Sequence, residues 1–179
     1  PAAAAYYNDS REKGFKTVFS AYAEATILPE KLKFKTSYNL DFYHYDLRSY
    51  TPEFNVGGSQ GNATSALSKT YGYGTYHIID NTLTYSDTKG AHSFSAMLGQ
   101  STRMQYNASL SGRANSVPGF DEQSKYLVNG SYKNQTTSDA ASRYNGLSFF
   151  ARGTYNYKDK YLATVTLRAD GSSKYQQKW

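Results

Sequence analysis

Two runs of alternating apolar and polar residues, flanking a charged turn at residues 158–160, constrain this chain most. A repeat of two predicts β-strands, because successive side chains of a strand point to opposite faces of a sheet. Each run has about ten residues, whereas soluble strands have about five or six and bilayer-crossing strands about nine to eleven. Phe150 is the exception on the polar face of the first run. The apolar face consists of Leu147, Phe149, Ala151, Gly153, Tyr155, Tyr157, Tyr161, Ala163, Val165, Leu167 and Ala169.

The composition fits strands that have one apolar and one wet face. Hydrophobic residues make up 39% of the 179 residues, and 19 residues are tyrosines. A tyrosine has an apolar ring and a polar hydroxyl, so it suits half-buried and interfacial positions. No apolar run is long enough for a transmembrane helix, but a membrane barrel is still allowed because its signal is alternation.

Charge and cysteine content exclude several classes of site. The net charge is +6, but the basic residues do not cluster on one element, which favours scattered surface charge over a nucleic-acid-binding surface. The chain has no cysteine, so disulfides, thiolate metal sites and cysteine nucleophiles are excluded. Residues 1–7 lack the features of a signal peptide. We therefore expect either a protein that is not exported or a mature or internal part of one.

The periodicity along the chain predicts an all-β fold with an antiparallel arrangement of about six strands. Short turns at 29–31, 87–90 and 158–160 close three hairpins, and long loops rich in Gly, Pro and polar residues connect the hairpins near 51–69 and 107–142. The predicted strands cover residues 17–28, 32–50, 70–86, 91–106, 143–157 and 161–170.

All short turns therefore lie at one end of the predicted sheet and all long loops at the other, which is typical of outer-membrane barrels. Aromatic residues occur near both ends, in the manner of two interfacial girdles: Tyr85, Tyr155, Tyr157 and Tyr161 beside the short turns, and Phe42, Tyr43, Tyr45 and Tyr50 towards the loops. Bacterial barrels have about eight strands or more, and an open sheet in lipid would leave edge groups unpaired. We expect the chain to be one segment of a larger transmembrane β-barrel.

Three stretches resemble one known family. They are FFARGTYNYKDKYL with LRADGSSKY (149–162 and 167–175), NTLTY with HSFSAMLGQ (81–85 and 92–100), and LPEKLKFKTSY (28–38). Together they are similar to the barrel of the SusC/RagA family of TonB-linked (TonB-dependent) outer-membrane transporters.

The resemblance implies a 22-stranded barrel in the outer membrane of a Gram-negative bacterium of the Bacteroidota, surrounded by membrane lipid and lipopolysaccharide. It also implies active import of an oligosaccharide or a peptide, energised by TonB through an N-terminal plug, with a SusD-like surface lipoprotein over the barrel mouth. The plug, the TonB box and the last barrel strand have no counterpart in residues 1–179, which we expect to belong to one barrel domain.

No residue pattern indicates catalysis, a cofactor or a metal. His44, His77 and His92 fall on different predicted strands without ligand spacing, and no nucleophile, phosphate-loop or metalloprotease motif occurs. The ligand-binding residues are not identified by the sequence. The aromatic residues of the loops suit stacking on sugar rings or packing of the loops themselves: Tyr50, Phe54, Tyr106, Phe120, Tyr126 and Tyr132.

Two other interpretations fit the same pattern. A passive porin-like channel would share the lipid-facing strands but would need neither plug nor TonB. A soluble all-β carbohydrate-binding module would use its tyrosines as stacking platforms, and it would need no membrane.

Overall fold

The computed structural model describes residues 2–57 and 60–174 of the chain, and long antiparallel strands dominate it. The six long strands form one sheet in the order β1-β2-β5-β6-β7-β8, and β3 and β4 form a separate pair. A short helix, α1, and two 3₁₀ turns at Leu127–Asn129 and Tyr132–Asn134 complete the fold. The bounds are α1 Ala2–Tyr7, β1 Asp9–Leu28, β2 Leu32–Thr51, β3 Phe54–Asn55, β4 Gly61–Asn62, β5 Ala66–Lys89, β6 His92–Asn115, β7 Thr136–Tyr157 and β8 Tyr161–Ser172.

Within the described residues, no helix combines the length and the apolar character that a membrane span requires.

The hairpin of β7 and β8 has the register that the alternation predicts. Tyr157 lies opposite Tyr161, and Ala151 lies opposite Leu167, so the odd-numbered side chains of both strands share a face. Lys158 and Asp159 both have positive φ angles, 53° and 54°. Two consecutive residues of this kind form the type I′ connection that matches the twist of a hairpin. The Asn156 side-chain amide donates a hydrogen bond to the Asp159 carboxylate at 2.6 Å, which supports the turn from its base.

The predicted loops near 51–69 and 107–142 are partly wrong, because the strands extend a few residues into the first and much further into the second. β6 continues to Asn115, β7 begins at Thr136, and β5 begins at Ala66. Ser, Asn and Gly are poor strand formers in isolation, but a neighbouring strand supplies the hydrogen bonds of the ladder and overrides that preference. β1 likewise begins at Asp9 rather than near residue 17. Residues 58 and 59 of the first predicted loop lie outside the described part of the chain.

The chain divides into two compact units. The loop unit comprises Pro1–Lys16, Tyr43–Gly74 and Asn107–Ser142, and it contains the long connections. The hairpin unit comprises Thr17–Phe42, Thr75–Tyr106 and Arg143–Trp179, and it contains the three short turns.

All the buried hydrophobic side chains of the described residues belong to the loop unit. They are Tyr50, Leu67, Ala114 and Val117, and Leu127 packs against them. The segment after β6 folds back over the ends of the strands and buries this small core. The Ser65 hydroxyl donates a hydrogen bond to the Val117 carbonyl at 2.8 Å, which holds the segment at its start.

The hairpin unit has no buried hydrophobic side chain among its described residues. Its apolar face is exposed instead: Leu98, Val165 and Leu167 have 62%, 63% and 68% of their surface accessible. A water-soluble protein rarely leaves so wide an apolar surface uncovered, so this face requires a partner or a membrane.

Candidate functional site

The polar face of the hairpin unit carries a cavity of about 360 Å³ between charged and hydroxyl side chains. Alternation places these side chains opposite the exposed apolar face. Five strands contribute, which makes the cavity a feature of the sheet rather than of one loop. Its lining consists of Lys35 and Ser37 from β2, Asp80 and Thr82 from β5, Ser101 and Arg103 from β6, Phe150 from β7 and Arg168 from β8.

Phe150, which interrupts the polar face of the first run, has a defined place there. Its ring lies over Gly99, where any Cβ atom would collide with it. The Arg168 guanidinium lies 5.8 Å from the ring centroid, within the range of a cation–π contact. The interruption therefore follows from packing against a glycine on the neighbouring strand.

Arg168 is held in place by several acceptors. Its Nε donates to both oxygens of Asp170, at 2.8 and 2.9 Å, and its Nη2 donates to the Ser148 hydroxyl at 3.2 Å. Arg103 differs, because its Nε is buried and has no hydrogen-bond partner in the described part of the chain. A buried donor of this kind favours binding of an acceptor, so the cavity suits polar or anionic groups.

In the loop unit, two tyrosines lie over glycines. Gly72 lies beneath Tyr45 and Gly74 lies beneath Tyr43, so that no side chain fits at either glycine. The Tyr43 hydroxyl donates to the Asn107 side-chain oxygen at 2.8 Å. The two glycines thus mark a close approach between strands, a role that glycines inside strands often have.

These tyrosines border a second cavity, of about 170 Å³. Rings, a side-chain amide and a hydroxyl meet there, a combination that can hold a sugar or a peptide backbone. The lining residues are Tyr43, Tyr45, Tyr73, Asn107, Ala108, Ser109, Ala140, Ala141 and Ser142. The sequence did not single out this set, because its members come from four separate strands.

The predicted aromatic girdle towards the loops is wrong for three of its four residues. Tyr43 and Tyr45 pack over glycines of the polar face, and Tyr50 is buried, with 6% of its surface exposed. A different aromatic row occurs on the opposite face. The rings of Phe15 and His44 stack at 5.6 Å, and His44 is 6.0 Å from Tyr71. Composition near strand ends indicated aromatic residues but not the face on which each one lies.

The three histidines pair with aromatic residues rather than with each other. His77 Nδ1 is 2.8 Å from the Tyr38 hydroxyl, and His92 Nδ1 is 2.7 Å from the Tyr155 hydroxyl. Among the described residues, no group of three His, Cys, Asp or Glu side chains has the geometry to hold a metal ion.

The loop aromatics differ in whether another side chain contacts their rings. Phe54 stacks on Tyr7 at 4.9 Å, and the Lys69 ammonium lies 4.3 Å from the Tyr126 ring centroid. Phe120 and Tyr132 have 95% and 79% of their surface exposed, so they remain available to a ligand or a partner.

An ionic cluster anchors the segment after β6 to the start of β1 and to the end of β2. Arg48 donates to both Glu122 and Asp9, and Lys125 Nζ is 2.7 Å from an Asp9 oxygen. The Arg48 and Lys125 side chains are largely buried, 11% and 13% exposed. The Arg48 guanidinium and the Lys125 ammonium lower the pKa of the Glu122 carboxyl from 4.5 to about 2.

Comparisons with known proteins identify relatives of one kind. The chain is 28% identical over 148 residues to TonB-dependent receptor P3 of Formosa agariphila, and 25% identical over 175 residues to TonB-dependent receptor P39 of the same bacterium. These alignments cover 82% and 94% of the chain but 14% and 16% of the two relatives, so the chain spans about a sixth of their length. No family model matches the chain.

Solved structures show the same fold. A structure of the RagAB peptide transporter superposes on 96% of this chain with a TM-score of 0.83 at 16% identity, and the match covers 19% of that chain. The RagAB peptide importer in its "open-open" state gives 0.80 at 17% identity, again with 96% and 19% covered. The relatives are named as receptors and the solved structures as transporters, which supports a function other than catalysis.

Proposed function

We propose that the protein of which this chain forms part imports nutrients across a bacterial outer membrane. The proposal follows because this chain is a barrel segment of a SusC/RagA-type TonB-dependent receptor. The finer proposal is active uptake of oligosaccharides or peptides. TonB would supply the energy through a plug, and a SusD-like lipoprotein would close the mouth. The RagAB transporter is named for peptides, and both cargo classes suit the polar cavities of this chain.

The exposed apolar face of the hairpin unit is the observation that carries this proposal. Val165 and Leu167 are 63% and 68% exposed on strands whose other face is polar. Lipid is the partner that suits a continuous apolar face on antiparallel strands, because neighbouring strands pair their backbone groups with each other everywhere except at the open edges of β1 and β8. The apolar face would then contact lipid, and the polar face would line the lumen or contact the plug.

Strand length supports the same proposal. β5 and β6 have 24 residues each, and β1 and β2 have 20 each. About nine to eleven residues of a tilted strand cross a bilayer. The surplus fits strands that continue beyond the membrane, on the side of the long connections.

Uptake by the full-length protein tests this function. Bacteria that carry the intact gene should accumulate a labelled oligosaccharide or peptide mixture, and deletion of the gene should abolish the uptake of at least one component. Collapse of the proton gradient should stop the same uptake, because TonB draws on that gradient. Uptake that persists without the gradient would instead indicate a passive porin-like channel. Recovery of the full-length protein in the soluble fraction without detergent would contradict both membrane functions.

The plug and its TonB contact are proposed for the rest of the polypeptide. The intact mass of the purified protein should be several times that of these residues, as the coverage of the relatives suggests. Co-purification of a lipoprotein after mild detergent extraction would support the proposal that a SusD-like lipoprotein, the lid, covers the barrel mouth. An intact mass equal to that of residues 1–179 alone would contradict the proposal.

A further inference from the structure

We propose that the loop unit carries a binding site for a phosphorylated glycolipid headgroup of the outer leaflet. The inference rests on the proposed membrane function. The site is a cavity of about 310 Å³, called here the outer cation cavity, between the face of β1, β2 and β5 and the segment after β6. Its lining consists of Arg11, Lys13, Asp46, Arg48, Lys69, Tyr71, Glu122, Gln123, Lys125 and Tyr126.

The charges of the outer cation cavity do not balance. Five cationic side chains line it, whereas three acidic side chains line or contact it, so two positive charges remain in excess. Arg48 and Lys125 are neutralised by Asp9 and Glu122. The excess therefore lies with the remaining cations, Arg11, Lys13 and Lys69.

These three cations are available to a ligand to different degrees. Arg11 Nη1 approaches Glu122 at 3.5 Å, with half of its side chain exposed. Lys69 contacts the ring of Tyr126, and Lys13 forms no ion pair within the described residues. Asp46 also lines the cavity, where its carboxylate interacts with the Tyr71 hydroxyl. An anion that enters the cavity therefore meets at least one cation without an acidic partner.

The aromatic row of Phe15, His44 and Tyr71 indicates where the cavity lies relative to the membrane. Aromatic rows on the outward face of a membrane barrel lie at the level of the headgroups. Lys13 and Lys69 are each two residues beyond this row on their strands, which places them about 5 Å further from the membrane centre once the tilt of barrel strands is included. Side chains at that level meet phosphate and sugar groups rather than acyl chains, and the positively charged cavity suits the phosphate.

The segment after β6 forms the second wall of the cavity. Tyr126 and Lys125 belong to this segment, and the ionic cluster with Asp9 and Arg48 fixes it in place. Small-molecule sites have volumes of about 300–1,000 Å³, so a volume of about 310 Å³ suits one phosphorylated sugar rather than a whole lipid. The arrangement points to a headgroup site that is formed before the ligand arrives.

Lipid binding by the purified full-length protein tests the site. The probes are diphosphorylated lipid A in detergent micelles, the same lipid after enzymatic removal of its phosphates, and inorganic phosphate alone. The protein should bind the phosphorylated lipid most tightly. Lys13→Gln and Lys69→Gln should each weaken that binding about fivefold, and the double variant about thirtyfold, since a basic residue near an anionic headgroup contributes about 1 kcal/mol.

Lys89→Gln is the matched control, since it removes the same charge from the other end of β5, beside a short turn, and should leave lipid binding unchanged. Heat-modifiable migration on a gel shows that each variant has folded. Equal binding of both lipid forms, or unchanged binding in the double variant, would overturn the proposal.

Competition by inorganic phosphate at the concentration of the lipid would also overturn it, because the site would then recognise the free anion. If the double variant no longer co-purified with the lid lipoprotein but still bound lipid, the cations would serve to bind a protein partner instead. Failed uptake in the transport assay above would refute the proposed import without affecting lipid binding, so the two claims fail separately.

Discussion

Gly74 lies beneath the ring of Tyr43, and a Cβ atom built on it would come within 2.5 Å of that ring and 2.6 Å of Asn107 Oδ1. Tyr43 and Asn107 are bonded to each other, so neither side chain can move aside without loss of that hydrogen bond. The backbone of β5 thus approaches β2 and β6 as closely as it does because residue 74 has no side chain. Single residues of this kind determine where the tyrosine-lined cavity forms.

Gly74→Ala should therefore destabilise the full-length barrel. Overpacking of a tight contact costs about 1–3 kcal/mol. The measurement is the midpoint of urea unfolding in detergent. Gly153→Ala serves as the control, because nothing lies within 4 Å of a Cβ atom there, and it should change the midpoint little or raise it slightly. Equal midpoints for Gly74→Ala and the parent protein would contradict the close approach.

The ionisation of Glu122 determines how we expect the segment after β6 to respond to pH. Hydrogen bonds from Arg48 lower its pKa to about 2, from 4.5 in the unfolded chain. A lowered carboxyl pKa stabilises the folded form above pH 4.5, and this stabilisation is lost as the pH falls from about 4.5 through 2. Hydrogen exchange of residues 127–135, corrected for the intrinsic rate, should stay slow from pH 8 to 5 and accelerate below pH 4.5.

Glu122→Gln should accelerate exchange in this segment at neutral pH and flatten its response to acid. Glu53→Gln, at an exposed position in another connection, should retain the acid response of the parent protein. Acid sensitivity that is identical in Glu122→Gln and the parent protein would show that another group controls the segment.

At the scale of the strands and turns, the connection between β7 and β8 depends on two left-handed residues. Lys158→Val should destabilise the hairpin by about 1–2 kcal/mol, because a β-branched side chain is disfavoured at a positive φ angle. Lys160→Val is the control, since residue 160 is not among those with positive φ, and surface changes of this type stay within about 0.5 kcal/mol. Both are measured by urea unfolding of the full-length protein. If both variants lose equal stability, the turn geometry is not the cause.

The alternation of side chains predicted the elements that depend on local pattern. The β7–β8 hairpin and the apolar face follow from side chains that repeat every two residues. The turns at 29–31 and 158–160 lie where they were predicted, but the second turn lies at residues 90–91 rather than 87–90, because β5 continues to Lys89. Phe150 broke the pattern because its place is determined by Gly99, a residue on another strand. Such partners are far apart in sequence, so one strand read alone does not reveal them.

The ends of the strands and the residues that form the sites were harder to predict from the sequence. Residues 107–115 contain Asn, Ser and Gly, yet they belong to β6, because neighbouring strands complete its hydrogen bonds. Arg48, Asp9, Glu122 and Lys125 form one cluster from three distant parts of the chain. Their charges were visible in the sequence, but no spacing rule brings them together.

At the scale of the molecule, the proposed import function depends on which face of the sheet meets lipid. The odd-numbered residues of β8 continue the apolar face of β7, and the even-numbered ones carry Thr166, Arg168 and Asp170. The chain contains no cysteine, so single cysteines introduced along β8 report on one site each once any cysteines elsewhere in the polypeptide are replaced.

Spin labels at single cysteines along residues 163–168 of the full-length protein in lipid bilayers test this claim most directly. The labels at Ala163, Val165 and Leu167 should be accessible to oxygen, which dissolves in the acyl chains, and shielded from a water-soluble nickel chelate. The labels at Thr164, Thr166 and Arg168 should show lower oxygen accessibility, so that accessibility alternates with a period of two. If the labels at Val165 and Leu167 were as accessible to the nickel chelate as a label that is fully exposed to water, the sheet would not face lipid.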